Sequence, residues 1–276
     1  MRMEARVGEL AHAALLREAE ATPKPGLVDR ANNGAHRDMD IRLFRISAAA
    51  VAPYFARFAR LGAAEAKAPL CGLLAGIRPL GVEAERAMFC ATGGVNTHKG
   101  AIFTLGILTY LSGRLHALDM PLAPEAVCDA ARALCAGVER ELAVSSARTK
   151  GERAFRSYGA TGIRGEAAAG FPNVLHVALP RLTRPGADEN ARLCDALLHL
   201  IAAVDDTNIL TRAGRAGADY AKAAARAFLS AHDPLDADYY AALSALDAAF
   251  IARNLSPGGS ADLVAAAWIL DTVRRT

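Results

Sequence analysis

Val7-Gly8-Glu9-Leu10-Ala11-His12-Ala13-Ala14-Leu15 sets its larger apolar residues at Val7, Leu10 and Leu15, with Ala11 and Ala14 between them. The i, i+3, i+4, i+7, i+8 spacing lines one face of a 3.6-residue helix, whereas a strand would repeat every second residue. The same spacing returns at Val127, Ala130, Ala131, Leu134, Cys135 and Val138, and again at Leu193, Leu197, Leu200, Ile201 and Val204. No run of β-branched or aromatic residues alternates with polar ones, so strands should be absent or trivial. The pattern predicts an all-α chain with helices near 4–20, 40–60, 64–76, 81–90, 98–113, 124–143, 165–180, 188–204, 217–231, 236–254 and 260–273. No low-complexity linker and no repeat of solenoid length divides it, so a single multi-helix domain over 1–276 is expected.

With 276 residues, 53% hydrophobic and 22% charged, the chain has the composition of a globular protein with a sizeable core. Its net charge of +3 is too small for a nucleic-acid or anionic-membrane binder, so any anion site must be local. The longest apolar run, Ala101 to Leu111, falls short of the roughly 20 residues a bilayer demands. Met1-Arg2-Met3-Glu4-Ala5-Arg6 has no apolar stretch behind it, so no signal or transit peptide is apparent and a cytoplasmic location is expected. Cys71, Cys90, Cys128, Cys135 and Cys194 form no CxxC pair and read as reduced, buried thiols.

The chemistry concentrates in the connections. Thr22-Pro23-Lys24-Pro25-Gly26 through Asp40 holds Lys24, Asp29, Arg30, Asn33, His36, Arg37 and Asp38 on a loop stiffened by two prolines. Asp38 or Asp40 could instead cap the helix that follows. Thr92-Gly93-Gly94-Val95-Asn96-Thr97-His98-Lys99 leads glycines into a helix start, where free N–H groups and the helix dipole favour a phosphate. Cations in a first turn, His98 and Lys99 here, oppose the dipole unless an anion lies between. Only five of the 32 basic residues are lysines, and Lys24 and Lys99 fall in these two loops.

Asp205-Asp206-Thr207-Asn208 follows the amphipathic pattern that ends at Val204. Two carboxylates at the negative end of a helix dipole call for a cation, and Mg²⁺ suits them; the alternative is a solvated turn. Gly159 to Pro172 contributes Arg164 and Glu166, each explicable singly as solvated or dipole-favouring. Ser256 to Asp262 reads as a helix opening with Ser260 as its N-cap.

In this order, Thr22-Pro23-Lys24-Pro25-Gly26-Leu27-Val28-Asp29, Asn33-Gly34-Ala35-His36, Asn96-Thr97-His98-Lys99-Gly100-Ala101-Ile102-Phe103, Arg164-Gly165-Glu166-Ala167 and Asp206-Thr207-Asn208 resemble the triphosphoribosyl-dephospho-CoA synthase family, which makes a prosthetic-group precursor for citrate lyase or malonate decarboxylase. The likeness runs from about Leu10 to Val264; Ala213-Gly214 stands where a glycine pair was expected.

The resemblance implies attack of the 2′-hydroxyl of 3′-dephospho-CoA on the ribose anomeric carbon of ATP, with adenine leaving and the triphosphate retained. An oxocarbenium-like centre then needs a carboxylate, the hydroxyl a proton acceptor, and the base an acid. Asp29, Asp38, Glu166 and His36 are the catalytic candidates, the carboxylates kept ionised by Arg30, Arg37 or Arg164. Lys24, Arg30, Asn33, Arg37, Gly93, Gly94, Asn96, Thr97, His98, Lys99, Arg164 and Asn208 should bind substrate, and Asp205 and Asp206 the Mg²⁺. A homodimer is expected, with the product passed to a transferase acting on an acyl-carrier subunit. Two other classes suit the same residues: a metal-dependent phosphohydrolase on a helical scaffold, and a non-catalytic partner of an acyl-carrier subunit.

Overall fold

A computed structural model describes residues 3–144 and 149–275, and every regular element among them is helical. The α-helices are α1 (Met3–Glu20), α2 (Ile41–Ala64), α3 (Leu73–Ala91), α4 (Lys99–Ala117), α5 (Pro124–Leu134), α6 (Glu141–Val144), α7 (Lys150–Tyr158), α8 (Gly162–Ala168), α9 (Leu179–Leu182), α10 (Glu189–Ala203), α11 (Thr207–Ala231), α12 (Tyr239–Ala252) and α13 (Gly258–Val273). A 3₁₀ turn at Val138–Arg140 and a π-helical turn at Val174–Ala178 complete them.

α4 is the axis of the fold. It is apolar all round and buried from Ala101 to Leu115 except Phe103, which only a helix enclosed by others tolerates. α2 packs along it, α1 and α13 close two further sides, and α3 and α5 cover the remainder. The α2–α4 approach needs glycine on both helices: a Cβ at Gly62 would lie 1.8 Å from the Tyr110 carbonyl oxygen, and one at Gly113 2.0 Å from that of Ala59. α13 is buried on most of its circumference as well, and it carries the core across to α10. The buried apolar residues form one cluster reaching from Val7 to Val273. Among the described residues no helix is long and apolar enough to cross a membrane.

The helices expected at 4–20, 188–204 and 260–273 match α1, α10 and α13 within two residues. Elsewhere the structure differs for local reasons. Instead of breaking between 76 and 81, α3 runs through Pro79, because the carbonyl freed at Ala75 and Pro79 itself are both exposed to water. The expected 124–143 helix stops at Leu134, followed by Gly137 at φ 84°. The helix placed at 165–180 is split into α8, the π turn and α9, with Phe171 at φ 55° in the break. α7, read as loop, opens on a capping box in which Thr149 and Glu152 each accept from the other's N–H. Finally, α11 begins at Thr207, and Gly214 (φ 67°, ψ −168°) breaks it into two helical stretches, the second of which is the helix expected at 217–231; one glycine makes the kink where a pair was expected.

Candidate active site

The 22–40 loop is fastened from below by two carboxylates. Asp29 is 2% exposed; its Oδ2 accepts from the Lys24 N–H at 2.8 Å, and its Oδ1 from Ala31 N–H at 2.6 Å and Asn32 N–H at 3.0 Å. Asp247, from α12, accepts from Gly26 N–H and from Asn32 Nδ2, both at 2.8 Å. Lys24 turns inward, its Nζ donating to the Glu18 carbonyl at 2.7 Å and Glu18 Oε1 at 2.6 Å. Asp29 thus shapes the loop, and Lys24 is tied to a carboxylate of α1. Arg30, Asn33, Arg37 and Asp38 remain exposed on the rim, while Asp40, not Asp38, caps α2 through Leu43 N–H at 2.8 Å.

His36, too, turns from this loop towards another part of the chain. Its Nε2 lies 2.8 Å from Ser256 Oγ and its Nδ1 3.7 Å from Asp38 Oδ1. Burial, and then the charge of Arg212, lower its pKa, so the ring is neutral at pH 7. Arg212 clasps the same loop from α11, donating to the Ala35 carbonyl through Nη2 and to the Asn254 carbonyl through Nε at 3.1 Å.

The second segment departs from expectation. Asn96 Oδ1 accepts from Lys99 N–H at 3.2 Å, capping α4 with the chain's own amide, and Lys99 Nζ reaches Glu85 Oε2 at 2.7 Å. The cation in the first turn is therefore offset by α3, and neither Lys99 nor Lys24 is left over as a ready triphosphate partner. Gly93 and Gly94, at φ 63° and 92°, lie open with nothing near their Cβ positions. His98 turns inward: Thr97 Oγ1 donates to Ser47 Oγ at 2.6 Å, and Ser47 Oγ lies 2.7 Å from His98 Nδ1. Burial first, then Lys24, push the His98 pKa down to about 3.

The reading of Asp205-Asp206 is also corrected. α10 ends at Ala203, and Asp206 is the N-cap of α11, at the positive end of a dipole, not the negative one. Its Oδ1 accepts from Asn208 and Ile209 N–H (2.9 and 3.4 Å), and its Oδ2 from Ser260 N–H and Oγ (2.8 and 3.1 Å). Four donors fill a carboxylate, so Asp206 does not fit a metal seat. Burial raises its pKa despite them. Asp205 points elsewhere, its Oδ1 held by Lys222 at 2.6 Å and Arg215 at 3.3 Å, and Lys222 chiefly lowers its pKa. Its Oδ2 carries no hydrogen bond from the described residues, and Asp205 borders a groove of ≈ 390 Å³ shared with Gly162, Glu166, Asn173 and Lys222. One carboxylate oxygen, not two adjacent groups, is what this segment offers a cation.

Glu166 lines the groove but is engaged structurally, accepting from Asn173 N–H at 2.7 Å and Asn173 Nδ2 at 2.8 Å. Arg164 lies 3.7 Å from Glu152, and burial raises the Glu166 pKa, opposite to the low value expected.

Even so, the separated motifs close into a ring. His36 meets Ser256 ahead of α13, Asp206 at the head of α11 meets Ser260 in α13, and Asn208 Nδ2 would lie 2.9 Å from a Cβ on Gly258. Asp262 of α13 reaches α4, where a Cβ on Gly100 would lie 2.0 Å from its Oδ2. Ser260 stands in the first turn of α13, with Pro257, not Ser260, at the cap. Glu18, Arg212, Asp247, Ser256 and Asp262 were not among the expected site residues. Asp247 and Asp262 were detectable only as lone charges inside Leu246-Asp247-Ala248 and Ala261-Asp262-Leu263.

Comparison with known proteins gives the family. Residues 4–276 match the family model described as CitG, ATP:dephospho-CoA triphosphoribosyl transferase. A protein of Albidiferax ferrireducens called probable 2-(5''-triphosphoribosyl)-3'-dephosphocoenzyme-A synthase is 47% identical over 269 residues, 96% of this chain and 89% of that one. The 2-(5''-triphosphoribosyl)-3'-dephosphocoenzyme-A synthase of Pectobacterium atrosepticum is 46% identical over 266 residues, 95% of this chain and 86% of that one. No solved structure matches the chain significantly. The chain belongs to the CitG family of ATP:dephospho-CoA triphosphoribosyl transferases.

Proposed function

We propose that this chain transfers the triphosphoribosyl group of ATP to the 2′-hydroxyl of 3′-dephospho-CoA and releases adenine, at the ring formed by the 22–40 loop and the heads of α4, α11 and α13. The observation that carries the site is the joining of His36 to Ser256 at 2.8 Å and of Asp206 to Ser260 at 2.8 Å, which brings motifs 220 and 54 residues apart into one place. Family membership supplies the reaction, and the geometry supports a division of labour. Arg30, Arg37 and Arg212 supply positive charge along the outer side, suited to a triphosphate of about −4. A neutral His36 can take the proton of the attacking hydroxyl, while Asn208 Nδ2, packed against Gly258, is a donor for a substrate oxygen.

Mg²⁺ is proposed to enter with the triphosphate. The free oxygen of Asp205 is the carboxylate of this segment that could hold it, and the ion would screen phosphate charge there. A homodimer and delivery of the product to a transferase acting on an acyl-carrier subunit complete the proposal. Incubation with ATP, Mg²⁺ and dephospho-CoA tests it. Free adenine and a product heavier by the triphosphoribosyl group support the transferase. Phosphate or pyrophosphate release would indicate a phosphohydrolase, and no turnover a non-catalytic partner.

A further inference from the structure

The buried carboxylates around the ring are spoken for, with one exception. Asp29, Asp206, Asp247 and Glu166 each accept at least two hydrogen bonds from backbone or amide donors, and Glu18 holds Lys24. Asp262, packed against Gly100, has the Ala101 N–H as the donor acting on it among the described residues, so acceptor capacity remains. The charged groups acting on it are Glu18 from α1 and Asp206 from the head of α11, both acidic.

The same turn of α4 holds a second unsatisfied group. His98 is 2% exposed, and its Nε2 is buried with no partner. Thr97 Oγ1 and His98 Nδ1 both meet Ser47 Oγ, at 2.6 and 2.7 Å, so Nδ1 is satisfied and Nε2 is the ring nitrogen left over. A buried ring nitrogen without a partner is costly to leave bare and fits a ligand that supplies one. Nδ1 faces Ser47 of α2, and the charge of Lys24 acts on the same ring. The two groups, an acid and an unpartnered ring nitrogen, lie at the head of α4, a pairing that suits the nitrogen-rich edge of a purine.

We propose, building on the transferase reading, that Asp262 is the acid that protonates the departing adenine and that His98 Nε2 holds the base beside it. The C1′–N9 bond of ATP breaks with its electron pair on adenine, and the Asp262 O–H proton moves to a ring nitrogen of the base. The 2′-oxygen of dephospho-CoA forms the new bond to C1′, and its proton passes to His36 and on to solvent. Asp262 regains a proton from solvent to complete the cycle. Its acidic neighbours and burial favour the protonated form this role requires.

The test compares ATP with an ATP analogue methylated at N7, whose cationic base leaves without an acid. Asp262→Asn should lose about 10²-fold or more in turnover with ATP but less than about 10-fold with the analogue. In the unaltered protein, the alkaline fall in turnover seen with ATP should be absent with the analogue, a reading that needs no variant to fold. Equal losses on both substrates, or the same alkaline limb on both, overturn the acid assignment. Failure of the unaltered protein to release adenine from ATP counts instead against the transferase reading.

Discussion

Asp206 Oδ2 accepts both the N–H and the hydroxyl of Ser260, at 2.8 and 3.1 Å, and so locks the start of α11 to the first turn of α13. Its other oxygen caps α11. Asp206→Asn keeps the shape but must turn an NH₂ towards donors on one side, leaving them unpaired at a cost of about 1–3 kcal/mol. The melting temperature should fall by several degrees, while the Mg²⁺ concentration for half-maximal adenine release stays within about twofold. Thermal melts and a Mg²⁺ titration decide it; normal stability with a large rise in Mg²⁺ demand would return Asp206 to the metal.

His98 makes stability depend on acid. Its folded pKa of about 3 lies below the ordinary 6.5, so between those values the unfolded chain binds a proton that the folded chain refuses. Stability should therefore fall as pH drops below 6.5, by up to about 1.4 kcal/mol per unit from this residue. His98→Gln removes the titration and should flatten the slope between pH 7 and 5, whatever it does to the absolute value. Denaturant unfolding at the two pH values measures this, and an unchanged slope would place the acid sensitivity elsewhere.

Lys99 and Arg212 should respond oppositely. The Lys99–Glu85 pair is partly exposed, with side-chain exposures of 39% and 27%, so Lys99→Met should cost at most about 1 kcal/mol and leave the KM for ATP within about threefold. Arg212 uses its planar fork on the Ala35 and Asn254 carbonyls beside His36, a geometry an ammonium cannot copy. Arg212→Lys should raise the KM for ATP about tenfold. Initial-rate kinetics on both variants separate the two, and the reverse ranking would restore the triphosphate to the Gly93 to Lys99 loop.

What was legible in the sequence is what depends on neighbours along the chain. α1, α10 and α13 announce themselves because one apolar stripe repeats at helical spacing. α7 was hidden by its charge: Ala154 is its one buried residue, and only the Thr149 and Glu152 capping box marks it. The motifs that gather at the site were legible as polar clusters, yet their partners were not. Nothing near Gly26 in sequence points to Asp247, 221 residues away, and nothing near Gly100 points to Asp262. The Asp205-Asp206 reading failed because two adjacent carboxylates were taken to share a dipole when the chain turns between them, sending one to cap α11 and the other to Lys222.

The Lys24–Glu18 pair tests whether the deepest cation of the loop serves the fold or the substrate. Its side chains are 3% and 9% exposed and 2.6 Å apart. Removing one partner of a buried pair leaves the other charge uncompensated, so Lys24→Met alone should destabilise by about 3–5 kcal/mol. Replacing both, as Lys24→Met with Glu18→Leu, removes that stranded charge and should recover most of the loss. If Lys24 only secures the loop, the double variant should regain adenine release along with stability. If the ammonium also acts on ATP, stability returns and turnover does not. The structure favours the first outcome, because Nζ already donates to the Glu18 carbonyl and carboxylate. A stable double variant lacking adenine release would place Lys24 among the groups that contact substrate.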